Sequence, residues 1–523
     1  MSETAFAPPG VWPPAVLPAE WVSGQGITVL RMATAGWISG IADEPANTLW
    51  PARIKGDVAL SQTAADALGI GGRIALGISD IDLWDGDNAL ADMIRYGGAD
   101  GRNATIRVAP ALSPGASDIG TLLSAATVAF RGIVRVITAA DGRGARLALA
   151  DIAERLAVPL QPTRYLGTGG LEGPAALAGR PKPVCLGRPY NVEPVSLGNI
   201  DLGDGALPTW QSNWRAIAGH DAVRIRGVAQ TPIGTVPGVG QFRDWPSFGV
   251  FQIGASPDGP VTADVRGDAV PLFVSSTAGI VRRLVQSLGS ALGDAEIAAD
   301  AFAFADVDLP GEVGWYRGAA EIAASDAATE IMAGAGAVLA GGRGGQLRLF
   351  DPIAEAPAQF DIPSAWIIAL QPLPLPATLR PPPRAVAVDW QRNWAPSNDL
   401  AGSVAGADRA KLSGRASGPA RAESAIVTAR VAQQRDMRLP GLYWAEADAL
   451  ARAQRWRRWI EAGPRLYELA TDRYLGAIEC GDIGRVTYPA YGLETGALCV
   501  IIGWREALAG RRLTLTVATL PEG

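Results

Sequence analysis

ATVAFRGIVRVITAADGRGARLALADI, residues 126–152, decides the fold class. Apolar and β-branched residues alternate with polar ones on both sides of Asp141-Gly142. That pattern predicts two strands joined by a tight turn. Shorter runs of the same kind precede it: ITVLRMAT (27–34), ARIKGDVALS (52–61), RIALGISDIDLW (73–84) and ATIRVAP (104–110). Five or six short strands at this spacing read as a barrel or sandwich. The expected class is mainly β with minor α (α+β), multidomain.

Further along, AVRIRGVAQ (222–230), FGVFQIGA (248–255) and VTADVRGD (261–268) are strand-like, as are AVLAGG (337–342) and QLRLF (346–350). In STAGIVRRLVQSLGSAL (276–292), Ile280, Leu284, Leu288 and Leu292 recur every four residues, so a helix is expected with Thr277 as its N-cap. A second helix is expected near 318–334. The clearest lies near 442–462, with Ala449, Ala453, Trp456 and Ile460 on its buried face and Arg452, Arg455 and Arg458 facing elsewhere. In RRLTLTVATL (511–520), Leu513, Leu515 and Val517 alternate with Thr514 and Thr516, as a half-buried strand requires. The expected organisation is a Pro-rich N-terminal arm at 1–25, a β-barrel-like domain at 26–160, a middle β-rich domain with helices at 161–380, and a C-terminal β-rich domain with one long helix at 381–523. The Pro-rich stretch 370–390 marks the last boundary.

A length of 523 residues exceeds what one core usually fills. The 63 glycines and 39 prolines, with no collagen period, point to many short strands and long loops. A net charge of −6 argues against nucleic-acid binding as the main task. Cys185, Cys480 and Cys499 lie in no CxxC spacing; Cys480 and Cys499 are placed to face each other across adjacent strands, as two reduced, half-buried thiols. The start MSETAFAPPGVWPP predicts no secretory leader, and no apolar run is long enough to span a membrane, so the chain reads as made in the host cytoplasm without stable membrane insertion.

His220 is the only histidine, so any catalytic triad or multi-histidine metal site is built around it or absent. It reads as a turn histidine beside Asp221. GASPDG (254–259) lacks the pattern of a nucleophile elbow, and neither LGIGGRIALG (68–77) nor the run AGGRGGQLRLF (340–350) has the helix a phosphate loop needs. The acidic cluster Asp80, Asp82, Asp85, Asp87 and Asp92 departs from calcium-loop spacing and reads as a strand ending in an Asp-Gly turn. No catalytic residue, cofactor or metal is expected.

DWQRNWAPSNDLAGSV (389–404), with Arg392, Asn393, Trp394, Asp399, Leu400, Ala401, Gly402 and Ser403, resembles a segment of the tail-tip hub or baseplate proteins of long, non-contractile phage tails and of gene transfer agents. CGDIGRVTYPAYGLETGALCVIIGW (480–504) is similar to the hairpin that follows in that family, through Gly481, Asp482, Pro489, Tyr491, Gly492 and Leu493. Tyr488 stands where the family has histidine. The stretches 37–62, 77–94 and 177–195 resemble the same group more loosely. The resemblance implies hub domains like those of the tail tube, arranged as a homotrimeric ring at the virion tail tip. The ring would join the tail tube, tape measure and distal tail protein to tip or fibre proteins during host attachment and DNA ejection. Any receptor-binding or lytic module would then sit on another chain. Such a protein is not an enzyme and acts through interfaces, where tryptophan and arginine are favoured. Of 16 tryptophans, Trp12, Trp21, Trp245, Trp390 and Trp394 sit beside prolines or in loops and are the candidate interface anchors. The alternatives are a cell-wall glycan-binding or glycan-hydrolysing tail protein, and an unrelated β-rich scaffold or secretion component.

Overall fold

A computed structural model of the chain describes residues 2–5, 29–64, 68, 71–74, 76–108, 123, 126–203, 205–433, 435–471, 473, 478–508 and 512–521. The hairpin at its centre is as expected. Thr127–Ala140 and Gly144–Ala150 pair antiparallel, with Ala140 opposite Gly144 and the chain reversing at Asp141-Gly142-Arg143. Gly142 holds φ +70°, a conformation glycine adopts without steric cost. Around it runs a seven-stranded antiparallel sheet in the order Val29–Met32, Ser2–Ala5, Asn103–Val108, Thr127–Ala140, Gly144–Ala150, Ile81–Trp84 and Ile54–Lys55. Residues 2–5 of the expected arm are thus a strand with a neighbour on each side. The Pro-rich residues 6–28, with Trp12 and Trp21, lie outside the described residues.

A second large sheet has the order Phe360–Ile362, Ile483–Val486, Ala497–Ala507, Arg512–Thr519, Leu466–Thr471 and Ile367–Leu373. Ala59–Thr63, from far upstream, pairs antiparallel with Ala497–Ala507 in the register Gly503 opposite Thr63, and Gly77–Ile78 pairs with Ala59–Thr63. Gly72–Ile74 runs parallel to Val338–Gly341, the inner strand of a three-stranded sheet completed by Leu347–Phe350. One apolar cluster extends from Leu30 to Leu520 through these sheets.

Residues 184–268 contribute most of a second core. A five-stranded sheet (Val195–Asp201, Ala206–Gln211, Val250–Ile253, Gln241–Trp245, Thr231–Pro232) and a three-stranded one (Val228–Ala229, Ile217–Ile225, Val261–Asp268) share a cluster of Trp210, Val223, Phe242, Phe251, Ala263 and Val265. This is sandwich packing. Among the described residues every sheet is an open path, so the expected barrels are not closed and edge strands remain, Ile367–Leu373 and Phe360–Ile362 among them.

The helices refine the expectations. The first long one is Thr277–Ser287, and its cap is Ser276, whose Oγ accepts the Gly279 N–H at 3.2 Å; Thr277 is the first helical residue. The second is Ala324–Ala335. The third is Glu446–Glu461, which packs on Ala385–Arg392 and Ala416–Glu423 of a three-stranded sheet that also holds Asp436–Tyr443. Ala449, Ala453, Trp456 and Ile460 form its buried face as expected, joined by Trp459. The arginines do not all face elsewhere. Arg452 is buried and clamps the Asp351 carboxylate with both terminal nitrogens, and Arg455 Nη1 reaches the same carboxylate at 2.9 Å. Fully buried carboxylates need such partners, so the arginines turn inward.

Candidate functional site: the Arg-Asn-Trp junction

Strand Ala385–Arg392 delivers Arg392, Asn393 and Trp394 to the place where the two cores meet. Trp394 packs against both apolar clusters, being half-buried itself. Its ring lies edge-on to buried Trp315 at 6.3 Å between centroids, and the Arg392 guanidinium sits 4.1 Å from its centroid. Arg392 also pairs with Glu330 at 2.7 Å. Glu330 Oε2 accepts the Trp315 indole N–H at 3.0 Å. Helix Ala324–Ala335 is thereby tied to the strand end through one carboxylate.

Asn393 is the centre of this junction. Its Nδ2 donates to the carbonyls of Lys411, Leu412 and Gly414 at 2.9–3.1 Å, fixing the C-terminal end of helix Gly406–Ser413. Its Oδ1 accepts from Asn191 Nδ2 at 2.8 Å and from the Ala395 N–H at 3.0 Å. The residues that resemble the hub family in sequence therefore act as a structural staple between segments far apart in the chain.

Beside the junction lies a cleft of about 680 Å³ with Arg180, Glu193, Trp210, Tyr316, Arg392 and Trp394 in its walls. Trp210 and Tyr316 are more than nine-tenths buried, so they offer edges and not open faces to that space. The Tyr316 hydroxyl donates to the Glu193 carbonyl at 2.5 Å.

The candidate anchors fall in different surroundings. Trp390 is half-buried on Ala385–Arg392 and packs on the main cluster. Trp245 ends the strand Gln241–Trp245 and packs on a separate small cluster with Leu171, Val195 and Leu202. Its indole N–H donates to Gln252 Oε1 at 3.0 Å, and Arg243 stacks on its ring at 4.2 Å. The structure brings Trp390 and Trp394 onto one strand end and leaves Trp245 elsewhere. Arg392, Asn393 and Asn191 belong to the junction, but nothing in composition singles out Asn191; only its bond to Asn393 does.

His220 is not a turn residue. It lies within strand Ile217–Ile225 with its side chain wholly buried. Its Nδ1 is 2.7 Å from Asp244 Oδ1 and its Nε2 is 2.9 Å from Ser212 Oγ. Asp221 instead faces Arg188 and Arg266. Ser212, His220 and Asp244 have the order of a catalytic triad, but Ser212 has no solvent exposure. The carboxylate accepts Nδ1–H, which leaves Nε2 to accept the serine O–H. The three groups belong to both sheets of the second core and tie them together.

The remaining titratable groups are similarly engaged. Burial and the nearby Asp351 carboxylate push Asp308 up to about 6, against the pull of Arg455. Burial alone would also raise Asp351, but Arg452 and Arg455 outweigh it and hold its carboxyl below the ordinary range. Cys185, Cys480 and Cys499 are free and buried, Cys480 and Cys499 more deeply than expected of them, and burial pushes Cys499 up to about 12. Of the acidic cluster, Asp85 and Asp87 face Arg53, and Asp80 and Asp82 face Arg146. Among the described residues no group of three or more His, Cys, Asp or Glu is placed to hold a metal, and no helix is long and apolar enough to cross a membrane.

No family model matches the chain, and no curated protein matches it. Solved structures do. The 43 kDa tail protein of prophage MuSo2 from Shewanella oneidensis is 9% identical, with 90% of this chain and 94% of that one covered at a TM-score of 0.37. A tail protein from Neisseria meningitidis MC58 is 9% identical, with 88% and 91% covered at 0.38. A chain of the virion of a native gene transfer agent particle is 13% identical, with 71% and 91% covered at 0.39. These three solved structures are two tail proteins and a component of a virion.

Proposed function

We propose that the chain is a non-enzymatic structural component of a phage-type virion: the tail-tip hub, a homotrimeric ring between the tail tube and distal tail protein on one side and tip or fibre proteins on the other. The observation that carries this reading is the block 389–404, whose sequence resembles the hub family and whose Arg392, Asn393 and Trp394 form the junction between the two cores. Open sheet edges support it, because exposed strands are ready to pair with neighbouring subunits. Half-buried tryptophans stacked by arginine, as at Trp245 and Trp394, have the composition of interface anchors. The expected division into domains at 26–160, 161–380 and 381–523 is kept in this proposal as the assembly units, interleaved where Ala59–Thr63 and Gly72–Ile74 cross between them.

Light scattering of the purified chain tests self-association. A trimer is expected, and Trp245→Ala is expected to shift it towards monomer, beyond the loss of monomer stability that follows from its contacts with Gln252 and its own small cluster. A wild-type chain that stays monomeric at all concentrations overturns the ring.

The second reading, a glycan-binding or glycan-hydrolysing tail protein, draws only on the cleft beside Trp394. Sugars stack on open aromatic faces, and the cleft's Trp210 and Tyr316 are buried. Binding of peptidoglycan fragments that Trp394→Ala abolishes would favour it.

A further inference from the structure

The glycine-rich run at 341–345 does more than turn a hairpin. It joins Val338–Gly341 to Leu347–Phe350, and it is seated on Thr127–Ala140 by the Arg131 N–H, which donates to the Arg343 carbonyl at 2.7 Å. A cleft of about 420 Å³ opens at this loop, with Arg131, Gly342, Arg343, Gln346, Arg348 and Glu479 in its walls. Arg343 is only 2% exposed. Its Nη1 pairs with Glu506 and its guanidinium stacks on Trp504 at 3.5 Å, yet its Nε and Nη2 have no partner. Arg348 gives Nη2 to Asp482 at 2.7 Å and leaves Nε without a partner. Glu479, 8% exposed, accepts the Arg343 backbone N–H on Oε1 at 2.7 Å, and its Oε2 accepts nothing. Three donor nitrogens and one carboxylate oxygen thus stand buried and unsatisfied on three residues that line one cleft. Each such group costs about 1–3 kcal/mol if it stays so.

We propose that this cleft binds a small oxyanion that carries a hydroxyl, with hydrogen phosphate as the type. On binding, the two arginine side chains turn towards the cleft, and the ligand's charged oxygens accept from Arg343 Nε and Nη2 and from Arg348 Nε. Arg131 stands exposed at the mouth. The ligand's P–O–H donates to Glu479 Oε2. The set of donors fits any oxyanion, but the lone acceptor does not. Once Glu479 is ionised, as it mostly is at pH 8, sulfate has no hydrogen to give it and would leave that oxygen unpaired against its own charge. The cleft should therefore separate two ions of similar size and charge by a single hydrogen bond.

Calorimetric titration of the full chain at pH 8 with inorganic phosphate, sulfate and methyl phosphate tests this. Phosphate is expected to bind saturably at one site, about tenfold or more tighter than sulfate or the methyl phosphate dianion, which also lacks the hydroxyl. Glu479→Gln supplies an amide that donates as well as accepts, so sulfate should then bind within about threefold of phosphate. Gly344→Glu provides a second variant. A Cβ at Gly344 meets nothing within 4 Å, so the substitution leaves the melting temperature unchanged while its charge weakens phosphate about tenfold. The proposal is overturned by an absence of saturable phosphate binding to the folded chain, by equal affinity of the wild type for phosphate and sulfate, or by Gly344→Glu binding phosphate as the wild type does.

Discussion

The side chains of Asn191 and Asn393, 202 positions apart, interlock through a 2.8 Å hydrogen bond, and both residues are buried. Asn191 leads into the second core, and its backbone N–H donates to Asp264 at 2.9 Å. Asn393 follows strand Ala385–Arg392 and holds the carbonyls of Lys411 and Leu412, at the end of helix Gly406–Ser413, and of Gly414 just beyond it. One amide pair thus couples the two halves of the molecule.

Replacing Asn393 by alanine is expected to remove about 3 kcal/mol, because it strands several buried carbonyls and the Asn191 amide at once. Asn393→Asp should do no better, since a carboxylate facing three carbonyls repels what the amide attracts. Urea denaturation of the two variants checks this. Stability within about 0.5 kcal/mol of wild type would show that the junction is not held by Asn393.

The Asp351 clamp gives a second expectation. Arg452→Ala leaves a carboxylate with no solvent exposure short of its main partner, and a loss of about 3–5 kcal/mol follows. Replacing both members, Arg452→Leu with Asp351→Leu, should restore part of that loss. A double-mutant cycle with no coupling would contradict the clamp.

The buried carboxyls set a pH dependence. Burial pushes Glu479 up to about 7, against the pull of Arg343 and Arg348. A carboxyl whose value is raised on folding contributes stability that is complete below its unfolded value near 4.5 and is lost as the pH climbs through 7. The wild type should therefore lose about 3 kcal/mol of this contribution between pH 4.5 and 8. Glu479→Gln removes that slope, and Asp308→Asn removes a smaller one ending near 6. Melting temperatures of the three proteins across pH 4.5–8 read the slopes. Identical slopes for wild type and Glu479→Gln would contradict the assignment.

The buried Ser212–His220–Asp244 chain is expected to be a strut. Ser212→Ala should cost about 1 kcal/mol and His220→Ala about 3, through the loss of the hydrogen bonds and of the contact with Phe251 at 4.9 Å. A fluorophosphonate probe should not label Ser212 in the folded protein. Labelling that depends on His220 would reveal a nucleophile.

Local features were legible where a repeating pattern and its punctuation agree. Alternation around Asp141-Gly142 locates the hairpin, and Leu513, Leu515 and Val517 locate the last strand. Ala449, Ala453, Trp456 and Ile460 locate the long helix. Helix Ala299–Asp308 escaped notice because it carries no clean apolar stripe: Phe302 and Asp308 are buried while Val307 is exposed. The pairing of Ala59–Thr63 with Ala497–Ala507 has no local signal, since strand partners so distant are chosen by the assembled core. The same holds for the site. Arg392, Asn393 and Trp394 stood out by resemblance, but Asn191, Glu330 and Trp315 entered through contacts alone. His220 found its partners 8 and 24 residues away, not beside it.

The proposed threefold hub has a visible signature in the particle. Cryo-electron microscopy of intact particles carrying it, averaged about the tail axis, tests that most directly. Three copies in one ring at the tail tip are expected, with the edges of adjoining sheets in contact. Particles without the chain, or with it in a ring of any other symmetry, would contradict it.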